Sequence, residues 1–135
     1  TGILLRCQLD GLSLQKVVVD YKTAARNDHW NFAADFYKWK YHFQATWYRE
    51  AVRQITGGEV WPVVYIVTEK QSKSYVVECF KVVDEWFEIA LHEWKKELIH
   101  FQHCIETQTW KRITHDTVVD LHPPVYVSRQ YKLKP

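Results

Sequence analysis

The chain is predicted to fold as one α+β domain, with a central mixed sheet packed against helices. Three observations predict it. Two segments with a period of two stand close together near the N-terminus, two longer segments carry helical periodicity, and two further strand-like runs lie between those helices. The 135 residues suit a single domain over 1–135, with residues 1–110 as the core and 111–135 as a C-terminal tail.

Residues 3–12 form the first predicted strand, because Ile3, Leu5, Cys7 and Leu9 alternate with Leu4, Arg6, Gln8 and Asp10. Residues 13–15 are a short connection. Residues 16–23 follow as a second strand, carried by the β-branched run Val17-Val18-Val19, and the two should pair as an antiparallel hairpin. Asn27 or Asp28 is placed to cap a long helix over 29–55, which Thr56-Gly57-Gly58 would end. The face of that helix toward the sheet is expected to carry Tyr37, Tyr41, Gln44, Tyr48, Ala51 and Ile55. Residues 61–68 (WPVVYIVT) are the third strand, with Pro62 near its start, where a missing donor is tolerated. A polar turn over 69–74 leads to a fourth strand over 75–83. A second helix spans 84–106 on the stripe Phe87, Leu91, Trp94, Leu98, Phe101 and Ile105. The remainder is expected to be irregular, broken by Pro123-Pro124, with 126–133 a short strand or arm. The order is ββαββα.

Composition narrows the class. The chain is 47% hydrophobic, 16% aromatic and 25% charged, so it can bury a real core, and disorder is not expected. Its net charge of +2 does not announce a nucleic-acid binder, so a DNA enzyme with this balance must concentrate positive charge locally or borrow it from a partner or another segment. Lys16, Arg26, Lys38, Lys40 and Arg49, on the hairpin turn and the long helix, are the candidates. Cys7, Cys79 and Cys104 are odd in number and contain no CxxC pair, which argues against a zinc ribbon or iron–sulfur cluster and fits reduced thiols in a cytoplasm. No membrane-spanning run or signal-peptide pattern is present. The start at Thr1-Gly2, without Met, reads as a fragment or a processed product.

The hairpin carries the chemistry. On the second strand Val18, Asp20 and Lys22 share one face. With the turn centred near Gln15, Asp10 falls opposite or nearly opposite Asp20, where paired Cβ atoms lie roughly 4.5–5.5 Å apart. Two carboxylates this close repel, and one is pushed toward protonation unless a cation intervenes. Mg²⁺ prefers oxygen ligands and often uses only one or two carboxylates. Such a metal, with a lysine beside it to orient or deprotonate water and to offset charge on phosphate, suffices for phosphodiester hydrolysis. The alternative is a turn at Asp10-Gly11 and an exposed Asp20–Lys22 ion pair. On the long helix Gln44 and Tyr48 lie one turn apart; they either hold a phosphate or brace a metal site, or they satisfy each other within the core.

The segments LDGLSL, VVVDYKTAA and YHFQATWY, in this order and spacing, resemble the RecE-type exonucleases of the PD-(D/E)XK superfamily, and the likeness covers residues 4–110. In that pattern an acid ends one strand, D/E-x-K lies on the next, and the following helix carries the Q-x-x-x-Y of the RecB-like branch. The resemblance implies Asp10, Asp20 and the Tyr21 carbonyl as ligands of Mg²⁺, with Mn²⁺ as a substitute. It implies Lys22 as the catalytic lysine and Gln44 and Tyr48 as accessory residues. It also implies end-wise digestion of linear double-stranded DNA in recombination or repair, in a bacterial or phage-infected cytoplasm. A homo-oligomeric ring and a single-strand annealing protein are the implied partners, and no membrane is implied. The family's helix before the first strand has no counterpart here.

Other groupings are weaker. His92, His100 and His103 share the second helix, but no third ligand has an obvious place. His115, Asp116, Asp120 and His122 cluster in the tail without periodicity. Cys7 and Cys79 are expected in core strands, which makes a cysteine nucleophile unsuitable. No glycine-rich phosphate loop or G-x-S-x-G elbow occurs. Two rival readings remain: a DNA-binding or assembly module without turnover, and an endonuclease of the same superfamily.

Overall fold

The computed structural model describes residues 6–70, 75–110 and 121–131. Eight elements follow in order: β1 (Gly11–Leu12), β2 (Val18–Ala24), α1 (His29–Lys38), α2 (Tyr41–Ile55), β3 (Val63–Glu69), β4 (Val77–Lys81), α3 (Asp84–Thr107) and α4 (Val125–Gln130). The four strands form one sheet in the order β1-β2-β3-β4. β2 runs parallel to β3, and both outer pairings are antiparallel. The sheet is therefore mixed, as predicted, and α1 and α2 make the crossover that a parallel pair requires.

The core lies on one face of the sheet. Val18, Asp20 and Ala24 of β2 and Val63, Tyr65 and Val67 of β3 are buried there, under Phe32 and Phe36 of α1, Ala45, Tyr48 and Val52 of α2, and Phe87 of α3. On the other face Tyr21, Val77 and Cys79 are exposed. Contact density divides the chain into two units, 1–103 and 104–135. The first holds the sheet, and α3 passes from it into the second.

Three elements depart from expectation. Among the described residues the first strand pairs only at Gly11–Leu12. Residues 3–5 lie outside the described residues and 6–9 are not strand, which leaves Cys7 exposed. Cys79 is exposed as well, because it sits on the outward face of β4.

The long helix is two helices. α1 ends at Trp39, and Lys40 takes the left-handed conformation with φ 57° and ψ 33°. Phe32 and Phe36 point α1 into the core, and the next position on that face of a straight helix is Lys40, an ammonium that burial would penalise. The break turns Lys40 out to Glu93, 2.7 Å away, and buries His42, Ala45, Tyr48 and Val52 from a fresh start. The predicted stripe survives at its centre, with Tyr48 buried and Tyr41 and Gln44 half-buried, whereas Tyr37 and Ile55 at its ends are exposed.

In the tail, α4 replaces the expected strand or arm. Pro124 stands at its N-terminus, and the Val127 amide donates to the Pro124 carbonyl at 2.9 Å. Val125 and Val127 favour strands by type, but a proline before the first turn is pre-organised to start a helix.

Candidate active site

The register of the hairpin brings the site together. Gly11 pairs with Val19 and Leu12 with Val18, so the next step places Asp10 opposite Asp20. Asp10 is anchored there by its Oδ2, which accepts a hydrogen bond from the Tyr21 amide at 3.0 Å. Asp20 points into the core face and is 0% exposed. Lys22, two residues on along the same face, forms an ion pair with Asp20 Oδ2. Apart from that charge contact, neither Asp20 oxygen accepts a hydrogen bond from any donor of suitable geometry among the described residues. Burial pushes the Asp20 carboxyl above the ordinary carboxylate range. The Lys22 ammonium pulls it back without cancelling the shift, and the Asp10 charge adds to the push.

Helix α2 and strand β3 line the other side. Gln44 Nε2 donates to the Tyr48 hydroxyl at 2.7 Å. The Tyr65 hydroxyl donates to the Tyr41 carbonyl at 3.1 Å and reaches Gln44 Oε1 at 3.5 Å. Tyr48 is close enough to feel both acids: burial raises its pKa, and the charges of Asp20 and Asp10 raise it further against the pull of Gln44. Gln44 and Tyr48 do pair with each other, as one reading of their spacing held, and they do so beside the acidic pair.

The chain as a whole has counterparts among known proteins. Residues 1–115 match the family model described as "PDDEXK-like domain of unknown function (DUF3799)". The chain belongs to this PDDEXK-like family. No curated protein matches it. The crystal structure of a "Putative exonuclease" from Eubacterium rectale superposes with a TM-score of 0.61 at 21% identity, covering 84% of this chain and 46% of that one. The chain thus spans less than half the length of that neighbour, and the likeness is one of fold.

Membership of a PDDEXK-like family supports a nuclease-type function and a divalent metal. The side chains can be tested against such an ion. A fully buried carboxylate, met by Lys22 and facing a second carboxylate, carries charge away from water that a hard cation would help to balance. Asp10 and Asp20 are the carboxylates this hairpin could offer such an ion, and the Tyr21 carbonyl is the further oxygen donor expected from sequence. Among the described residues no group of three or more His, Cys, Asp or Glu side chains is placed to hold a metal; the hairpin supplies two carboxylates. His115, Asp116 and Asp120 lie outside the described residues, and His122 is exposed.

Tyr65 was not foreseen as a site residue, and Tyr41 was placed only on the helix stripe. Tyr65 pairs in register with Asp20 across the parallel β2–β3 ladder. One sign was present: Tyr65 puts a polar tip between Val63 and Val67 on the core face of β3. Four of the five cations expected to meet DNA are tied to acids, Lys16 to Glu59, Arg26 to Asp28, Lys40 to Glu93 and Arg49 to Asp84, at 2.8, 3.6, 2.7 and 3.3 Å. Lys38 instead lies over the Trp39 ring at 4.9 Å. No described helix is long and apolar enough to cross a membrane.

Proposed function

We propose that the chain is a metal-dependent deoxyribonuclease that digests linear double-stranded DNA from its ends. The observation that carries the reading is the buried Asp20, facing Asp10 and held by the Lys22 ammonium at one oxygen. Asp10 and Asp20, with the Tyr21 carbonyl, would hold Mg²⁺, for which Mn²⁺ can substitute. Such an ion supplies a bound water of lowered pKa and polarises a phosphoryl oxygen. The Tyr21 amide fixes the Asp10 carboxylate in place. The Lys22 ammonium orients the attacking water and offsets negative charge gathering on the phosphate as the water oxygen bonds to phosphorus and the bond to the leaving sugar oxygen breaks. Gln44 keeps the Tyr48 hydroxyl turned to the site by donating to its oxygen, which leaves the hydroxyl hydrogen free for a phosphate oxygen.

Digestion from ends rests on the RecE-like arrangement of LDGLSL, VVVDYKTAA and YHFQATWY, and on a structural neighbour that bears an exonuclease name. A role in recombination or repair, a ring of subunits and an annealing partner belong to the same reading. The test is digestion of linear and covalently closed circular duplexes with Mg²⁺ or Mn²⁺, by the parent and by Asp20→Ala. Loss of linear DNA alone, abolished by the substitution, is expected. Rapid cutting of closed circles would instead make the protein an endonuclease, and an Asp20→Ala variant as active as its parent would mean that the site is elsewhere.

A further inference from the structure

The Lys22 ammonium has a second set of neighbours besides Asp20. Its Nζ stands 5.0 Å from the centroid of the Tyr41 ring and 5.5 Å from that of Tyr65. The two rings lie 6.0 Å apart and nearly parallel, at 24°, and the Tyr65 hydroxyl ties them by donating to the Tyr41 carbonyl. Phe36 packs its ring edge-on to both, at 6.1 Å from Tyr41 and 5.2 Å from Tyr65. Tyr65 is fully buried, so neither ring of this pair is a loose surface group.

Burial keeps both hydroxyls neutral, and the Asp20 charge reinforces this at each. The pair therefore offers electron-rich faces without net charge. A third carboxylate in its place would hold a lysine too, but it would compete for a divalent cation and repel phosphate. Asp20 alone is an uncertain tether, because a cation sharing its carboxylate weakens its hold on Lys22. A lysine stem has many rotamers to explore once released, and the ring faces attract the ammonium whether or not Asp20 is shared.

We propose that Tyr41 and Tyr65 form an aromatic seat that holds the Lys22 ammonium beside the Asp10–Asp20 pair. They are positioning residues, acting through Lys22, and the inference rests on the nuclease reading for its consequence in turnover. Tyr41 opens α2 and Tyr65 sits near the centre of β3, so the seat joins the helix layer to the strand that lies beside Asp20.

The test uses the whole chain with ¹³C,¹⁵N-lysine, the Lys22 signals being assigned by their loss in Lys22→Arg. The ε-methylene of Lys22 should lie upfield of the exposed lysines, shifted by the ring currents. Tyr41→Leu should return it toward them, and Tyr41→Phe should leave it in place. In the digestion assay Tyr41→Leu should lower kcat by roughly 2- to 30-fold, the range of a cation–π contact, with the KM for DNA and the Kd for Mn²⁺ unchanged, and Tyr41→Phe should restore it. Should Tyr41→Leu prove misfolded, the parental shift and its persistence in Tyr41→Phe still decide. A cleaving parent whose Lys22 resonates with the exposed lysines would overturn the seat and leave the nuclease reading intact. An upfield-shifted Lys22 in a parent that cleaves no DNA would support the seat and overturn that reading. Equal losses in Tyr41→Leu and Tyr41→Phe would also overturn the seat, since a ring is kept in only one of them.

Discussion

Asp20 is a group whose burial costs the fold something and gives the site its character. Because folding raises its pKa above the ordinary 3.8, the folded protein holds the proton more tightly than the unfolded chain does. Below that value both states are protonated, and the contribution to stability is complete. It is lost as pH rises through the folded value and the carboxylate ionises away from water. With divalent metal chelated, Asp20→Asn should therefore be more stable than the parent at pH 7, the difference shrinking as pH falls toward 3.8 and levelling off below it. Urea unfolding at several pH values measures it, and a variant less stable at pH 7 would contradict the assignment. The roles of lysine and acid should also separate. Lys22→Ala is expected to keep Mn²⁺ and DNA binding while cleaving about 10²–10³ more slowly, whereas Asp20→Ala should lose metal affinity too; calorimetric titration of Mn²⁺ distinguishes them. Asp10, Asp20 and Lys22 could be placed together from sequence because strand periodicity and a short turn are local rules. Tyr65 could not, because its place beside Asp20 depends on a parallel pairing 45 positions away in the chain, which no local pattern encodes.

At the level of elements, β2, β3, β4 and α3 were legible to within a few residues, whereas the extent of the first strand and the helical hairpin over 29–55 were not. Neither Gly nor Pro stands in that stretch, so the usual signs of a break are missing. The cause is instead the placement of Lys40 one turn after two core phenylalanines. Lys40 carries a side chain through left-handed space, where glycine sits without strain and β-branched residues are least tolerated. Lys40→Val should therefore lower the melting temperature further than Lys40→Gly, although both lose the Glu93 bridge. Equal losses would show that the bridge, and not the backbone, matters. Phe36 holds the two helices and the sheet in one packing unit through its contacts with Tyr41, Tyr65 and Trp86. Phe36→Ala should cost about 3–5 kcal/mol of stability, read by denaturant unfolding; a loss under about 1 kcal/mol would mean that this cluster is not the keystone of the layer.

For the whole molecule, the net charge is only +2, and of the five cations expected to meet DNA, Lys16, Arg26, Lys40 and Arg49 have acid partners. DNA affinity should fall with salt on a log–log slope no steeper than about −4.5, five phosphate contacts at about −0.9 each. A steeper slope would require cations beyond these five. The parallel pairing of β2 with β3 has a separate consequence for how the protein comes into being. The β1–β2 hairpin closes over a loop of a few residues and can form within microseconds, setting two carboxylates against each other before anything shelters them. The strand that brings Tyr65 alongside arrives only after both crossover helices have been made, a contact of high sequence separation and hence of slow closure. During synthesis the acids therefore emerge first, in water, where their repulsion is screened, and Asp20 is drawn into the interior only when β3 docks. Docking of β3 is thus the step at which the chain takes on the electrostatic cost of its own active centre, and a divalent cation present at that moment would speed the final stage of folding more than it speeds the hairpin.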